Sequence, residues 1–157
     1  MIGAIMTNLT EFKGPAALTA KQAAADMASG AMSAEAYASA LLDRIDAVEG
    51  EIKAFIHLDR NHVLAQARAL DAQRASGKPL GALHGLPVGI KDIIDTADYP
   101  TENGAALYAG RRPIRDAAVV AKLRAAGAII FGKTVTTEVA FRHPGATRNP
   151  HDLAHTP

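Results

Sequence analysis

Apolar residues follow two rhythms along this chain. Between Thr19 and Gly77 they recur every three or four positions, and from Gly81 onward they gather in short runs bounded by glycine and proline. The first rhythm predicts helices and the second buried strands. Thr19 and Gln22 form a capping box ahead of a short alanine-rich helix ending at Gly30. Ser33 caps the next helix, with Glu35 in its first turn. Its apolar stripe is Tyr37, Leu41, Ile45 and Val48, and Glu49–Gly50 ends it. The run AFIHL (54–58) reads as a short strand. Asp59 or Asn61 then caps a third helix with Leu64, Ala67 and Leu70 on one face, ending at Gly77.

The second half is built around Gly81–Asp95, GALHGLPVGIKDIID. A loop punctuated by Gly81, Gly85 and Pro87 runs into an apolar strand that reaches Lys91 and Asp92. A turn signal follows at Glu102–Asn103–Gly104. Asp116 is placed as the cap of a helix carrying Val119, Val120 and Leu123, stopped by Gly127, and Ala128–Phe131 is the next strand. Strand, helix, strand at this spacing is a βαβ unit, so the sheet is at least partly parallel. Thr137–Glu138 opens one helical turn with Val139 and Phe141 directed inward, and 142–157 is an irregular loop. The expected fold is α/β, a mixed, partly parallel sheet covered by helices. Residues 1–18 are a tail or packed-on arm. Residues 19–157 form one domain, divided into a helical lead-in (19–77), the βαβ core (81–141) and the terminal loop (142–157).

Charge and composition narrow the function. Seventeen basic side chains against sixteen acidic give a net charge of +1, without the basic excess of a nucleic-acid binder. The densest basic patch, Arg111, Arg112 and Arg115, reads as a solvated loop. With no cysteine, thiolate chemistry and cysteine-held metals are excluded. The six histidines show no metal-ligand spacing, so neither metal nor cofactor is expected. No apolar run reaches the length of a membrane span, and the first residues lack a basic leader, which points to a cytoplasmic protein. Gly127–Thr134, GAIIFGKT, spells the phosphate-loop pattern. Its four middle residues are the strand itself, however, and β-branched residues follow where a helix should start, so the nucleotide reading is refused. Lys133 is then a structural lysine at a strand end.

Lys91 is open to two readings. It is a strand-end lysine that snorkels to water, or a lysine held neutral as a base. The residues around it resemble the amidase signature family. The matching blocks are Gly81–Thr96, PTENGA (100–105), Asp116–Thr134, Thr137–Phe141 and Thr147–Pro157, in the family's order and spacing. The resemblance implies a Ser–cis-Ser–Lys hydrolase of the amidase signature fold, with Lys91 in G-I-K-D matching the catalytic lysine. Such a lysine deprotonates the nucleophilic serine through a bridging serine, an acyl-enzyme forms, and water releases the carboxylate. The family also lines its substrate cleft around Val139, Ala140 and Phe141. His84 is expected to order its loop by a hydrogen bond. Asp92 is expected to act as a charge partner or hydrogen-bond acceptor, since a carboxylate close to Lys91 would oppose a neutral base.

The family's Gly/Ser-rich block is not matched by any of Ser29, Ser33, Ser39 or Ser76, which all fall in or near the predicted helices. The expected activity is therefore hydrolysis of a small linear amide by an enzyme of which this chain supplies the base, with the 157 residues inactive alone. Two alternatives stand. One is the glutamine-hydrolysing subunit of a tRNA-dependent amidotransferase, which requires a partner subunit. The other is a non-catalytic truncated fragment that dimerises or associates through an exposed sheet edge.

Overall fold

A computed structural model describes residues 12–157. Most of the expected arm at 1–18 lies outside that range. Its described end makes a 3₁₀ turn at Gly14–Ala17.

Three helices form the lead-in. Helix α1 (Ala20–Ser29) starts at the Thr19/Gln22 capping box and stops at Gly30, whose φ of 81° only glycine adopts freely. Helix α2 (Ala34–Ile52) is capped twice. The Ser33 hydroxyl accepts from Ala36 N–H, and the Asp71 carboxylate, reaching over from α3, accepts from Ala34 and Glu35 N–H at 2.8 and 3.0 Å. Helix α2 runs through Gly50, beyond the expected end, and closes only where Lys53 turns left-handed. Helix α3 (Arg60–Ala75) is capped by Asp59 and ends two residues before Gly77.

The sheet has three strands in the order β1 (Phe55–His57), β3 (Ile129–Thr134), β2 (Pro87–Lys91). As expected, β2 and β3 are parallel, joined through α4 (Ala118–Ala125). Strand β1 is antiparallel on the other side of β3. β3 is the central strand and is buried on both faces. Ile129 and Phe131 pack against α1, α2 and α3, where Met27, Tyr37, Leu42, Val63 and Ala67 complete the larger core. Ile130 packs the other way, with Ile90, Tyr99 and Val120. The mixed α/β expectation is met by this arrangement.

β3 is longer than its apolar run suggested, because it continues through Gly132, Lys133 and Thr134. The parallel ladder slips by one residue there: Val88 lies opposite Ile130, but Gly89 lies opposite Gly132. Such a bulge offsets the side-chain alternation that follows it. Gly132 allows the tight passage, since a Cβ on it would stand 2.5 Å from the His57 carbonyl oxygen.

Asp116 does not cap α4. Its carboxylate accepts from Ala97 N–H (2.8 Å) and Arg124 Nε (2.9 Å), pinning the loop after β2 to the helix, while Ala117 takes the cap position without a side-chain bond. Residues 142–157 are irregular, apart from a bridge between Asn149 and Asp152.

Candidate active site

In parallel sheets, chemistry gathers at the carboxyl ends of the strands, where the following loops converge. Here the carboxyl end of β2 carries Lys91 and Asp92, and the chain leaving the adjacent end of β3 turns through Glu138–Ala140. The loop at 100–104 ties the two together. Asn103 N–H donates to the Asp92 carbonyl at 2.8 Å, and Val139 N–H donates to the Asn103 carbonyl at 2.8 Å. Asn103 and Gly104 both take left-handed conformations, forming the turn expected at this place. Lys91 and Val139–Phe141 thus belong to one end of the sheet.

Lys91 is exposed in this chain, so the buried lysine of the family-based reading is not what these residues build by themselves. A three-stranded sheet leaves the last residue of an edge strand open to water. Val139 and Phe141 also differ from expectation. They do not pack inward but are 59% and 75% exposed, with the Arg142 guanidinium over the Phe141 ring. Val139 and Ala140 have φ of 48° and 57°. Left-handed backbone is costly for a β-branched residue, on the order of 1–3 kcal/mol, and it persists where surrounding bonds impose it. Those bonds are Val139 N–H to Asn103, Ala140 N–H to Thr137 and Phe141 N–H to Glu138.

Behind Lys91 lies a polar network that sequence reasoning missed. Lys133, read as a strand-end lysine, is completely buried. Its Nζ donates to Thr101 Oγ1 (2.5 Å) and the Pro100 carbonyl (3.1 Å), and stands 3.5 Å from Asp92 Oδ1. Asp92 also accepts from Glu102 N–H (3.1 Å) and Gly104 N–H (3.4 Å). Its charge partner is therefore Lys133, not Lys91. Burial lowers the Lys133 ammonium below its ordinary value, against the pull of Asp92, Asp95 and Asp98. The surrounding acids each have partners. Arg111 holds Asp95 below the usual carboxylate range through paired hydrogen bonds of 2.7 and 2.9 Å. Burial raises Asp98, but His62 and Arg124 outweigh it and hold it low. Gly110 N–H and His57 lower Glu102. Burial pushes the Tyr99 phenol up to about 12, and its hydroxyl donates to the Phe131 carbonyl. Arg111 is therefore part of this network rather than of a merely solvated loop.

An open cleft of about 890 Å³ adjoins Ile93–Asp95, with Asn103, Tyr108 and Arg115 on its walls. Among the described residues no three His, Asp or Glu side chains converge as metal ligands, and no helix is long and apolar enough to cross a membrane.

His84 corrects another expectation. It is buried beside Gly127, yet neither ring nitrogen has a hydrogen-bond partner. Burial pushes it below its ordinary 6.5; Asp71 opposes this and Arg74 adds to it. In acid the unfolded chain therefore takes up this proton before the folded chain does. Stability should fall as pH drops through about 6.5 toward the folded value, then level off. Thermal melts at pH 7.5 and 5.5 should show a smaller acid loss for His84→Gln than for wild type. An equal loss would assign the pH dependence to other groups.

The Amidase family model matches residues 36–157. The chain is 42% identical, over 158 residues, to a glutamyl-tRNA(Gln) amidotransferase subunit of Salinispora arenicola, covering 97% of this chain and 31% of that protein. The same-named subunit of Chloroflexus aurantiacus is 44% identical over 124 residues, 79% of this chain and 26% of that protein. Among solved structures, the peptide amidase PAM in complex with the competitive inhibitor chymostatin superposes with a TM-score of 0.82 at 34% identity, over 90% of this chain and 31% of that one. The chain spans about a third of the length of these relatives.

Proposed function

The chain belongs to the amidase family, and we propose that it forms the lysine-bearing part of an enzyme that hydrolyses the carbon–nitrogen bond of a small linear amide. The observation that carries this reading is the position of Lys91. It stands at the carboxyl end of β2, open on one side and backed by a buried polar network, with the Val139–Phe141 turn held to the same end of the sheet through Asn103. In the proposed reaction Lys91 accepts the proton of a nucleophilic serine through a second, bridging serine hydroxyl. The serine adds to the amide carbonyl. The proton passes to the leaving nitrogen, and water then hydrolyses the acyl-enzyme. Val139, Ala140 and Phe141 line the cleft that receives the acyl group.

Both serines come from outside residues 1–157. The chain's own serines serve the helices. Ser33 caps α2, Ser29 and Ser76 donate to the Asp26 and Gln73 carbonyls, and Ser39 lies within α2. The 157 residues alone should release no ammonia.

A second reading is supported by the relatives named as glutamyl-tRNA(Gln) amidotransferase subunits, in which glutamine is the amide and a partner subunit uses the ammonia. Ammonia release from glutamine and from a C-terminally amidated dipeptide separates the two. It should be measured on the 157 residues and on the longest natural polypeptide carrying them. Turnover of the amidated peptide supports the hydrolase, and turnover of glutamine with a co-purifying subunit supports the amidotransferase. Silence from the longer polypeptide on both amides would overturn both.

A further inference from the structure

The best-buried cation in the described residues is Lys133 rather than Lys91, and its surroundings explain why it is there. Three acceptors surround its Nζ: Thr101 Oγ1, the Pro100 carbonyl and Asp92 Oδ1. That number matches the three N–H bonds of an ammonium. In the ladder Ile90 lies opposite Lys133, Lys91 lies opposite Thr134, and Asp92 N–H donates to the Thr134 carbonyl at 3.0 Å. Lys133 therefore sits one register step behind Lys91 and touches the residue that follows it.

Four carboxylates surround this point, namely Asp92, Asp95, Asp98 and Glu102. Asp95 is held by Arg111, Asp98 by Arg124 and His62, and Glu102 by His57 and Gly110 N–H. Asp92 has two backbone N–H donors, but its only cation is Lys133. Without Lys133, a buried negative charge would stand next to Lys91 in the chain. A carboxylate in that position favours the protonated lysine, whereas a second cation favours the free amine that a base requires.

We propose that Lys133 is a positioning residue for the reaction: by engaging Asp92 it withholds that carboxylate from Lys91 and places a buried positive charge behind it. The proposal rests on Lys91 being the base.

Competitive acylation of the folded chain with acetic anhydride from about pH 6 to 11, read at Lys91 by peptide mass spectrometry, tests it without any substrate. In Lys133→Met the onset of Lys91 reactivity should move up by about one pH unit, and in Asp92→Asn down by about as much. The double variant, with neither charge, should return close to wild type. A purely structural Lys133 would move both single variants the same way or not at all, and either result overturns the proposal. If Lys133→Met does not fold, the other two variants decide. An unmoved onset in Asp92→Asn is then fatal, and a downward shift reversed in the double variant supports the pairing. Failure of the base reading looks different: Lys91→Ala would leave amide hydrolysis intact, whatever the labelling shows.

Discussion

Lys91→Ala, introduced into the amide-hydrolysing polypeptide that carries these residues, is expected to lower kcat by about 10²–10⁴-fold, the usual contribution of a positioned general base. The same substitution should change unfolding free energy by less than about 0.5 kcal/mol. Lys91 is exposed at a strand end, and among the described residues its ammonium makes no hydrogen bond or ion pair. Activity and stability therefore separate at this position, as they would not at a core residue. Lys91→Arg sharpens the test. It keeps the charge and much of the reach, but a guanidinium does not give up its proton near neutral pH. A base should be lost almost as completely in the arginine variant as in the alanine one. A lysine that merely attracts substrate would be largely replaced by arginine. Steady-state kinetics with thermal melts on the same preparations reads both quantities. Unchanged kcat in Lys91→Ala would return this residue to the snorkelling lysine that its exposure also fits.

The position of Lys91 was legible because it depends on local signals. A Gly/Pro-bounded apolar run fixes β2, and a helix followed by a second run fixes the parallel partner. The refused phosphate loop follows from the same signals: Ile129–Thr134 is one continuous strand, so the backbone of GAIIFGKT is committed to ladder bonds and cannot cradle a phosphate. The network behind the site was not legible. Phe131 ends the apolar letters, so Lys133 read as the strand's exit. The ladder slip at Gly132 is a property of two strands pairing, and one strand's letters do not carry it. Asp92 likewise accepts from Glu102 and Gly104, ten and twelve residues on, across a loop whose closure no periodicity announces. Glycine at 50 suggested a helix end because its local cost is about 1 kcal/mol, a penalty that tertiary packing outweighs in α2. The misplaced Asp116 has the same origin. Aspartate before a helix is a good cap by local rules, but Arg124 and Ala97 N–H compete for it and hold it.

The second large effect concerns stability. Lys133→Met should destabilise the fold by about 3–5 kcal/mol, the cost of leaving one partner of a buried pair alone. Methionine fills much of the space of the lysine stem, so the loss is electrostatic rather than a cavity. Asp92 keeps its two backbone donors but loses its only cation, at 1% exposure and away from water. Asp92→Asn should also destabilise, since it strands the ammonium at full burial with only Thr101 and Pro100 as acceptors. The double variant should cost less than the sum of the two. Asparagine still offers a carbonyl oxygen to Glu102 and Gly104 N–H, and methionine leaves no charge to balance. The resulting coupling in a double-mutant cycle, read from denaturant unfolding with the slope m unchanged, should reach about 1–3 kcal/mol. Additive losses would mean that Lys133 and Asp92 are stabilised separately, by Thr101 and Pro100 on one side and by the 102–104 turn on the other. Strong coupling would mean that the same pair that shields Lys91 from Asp92 also holds the 100–104 loop against β3. Substitutions there would then alter catalysis and folding together, unlike those at Lys91 itself.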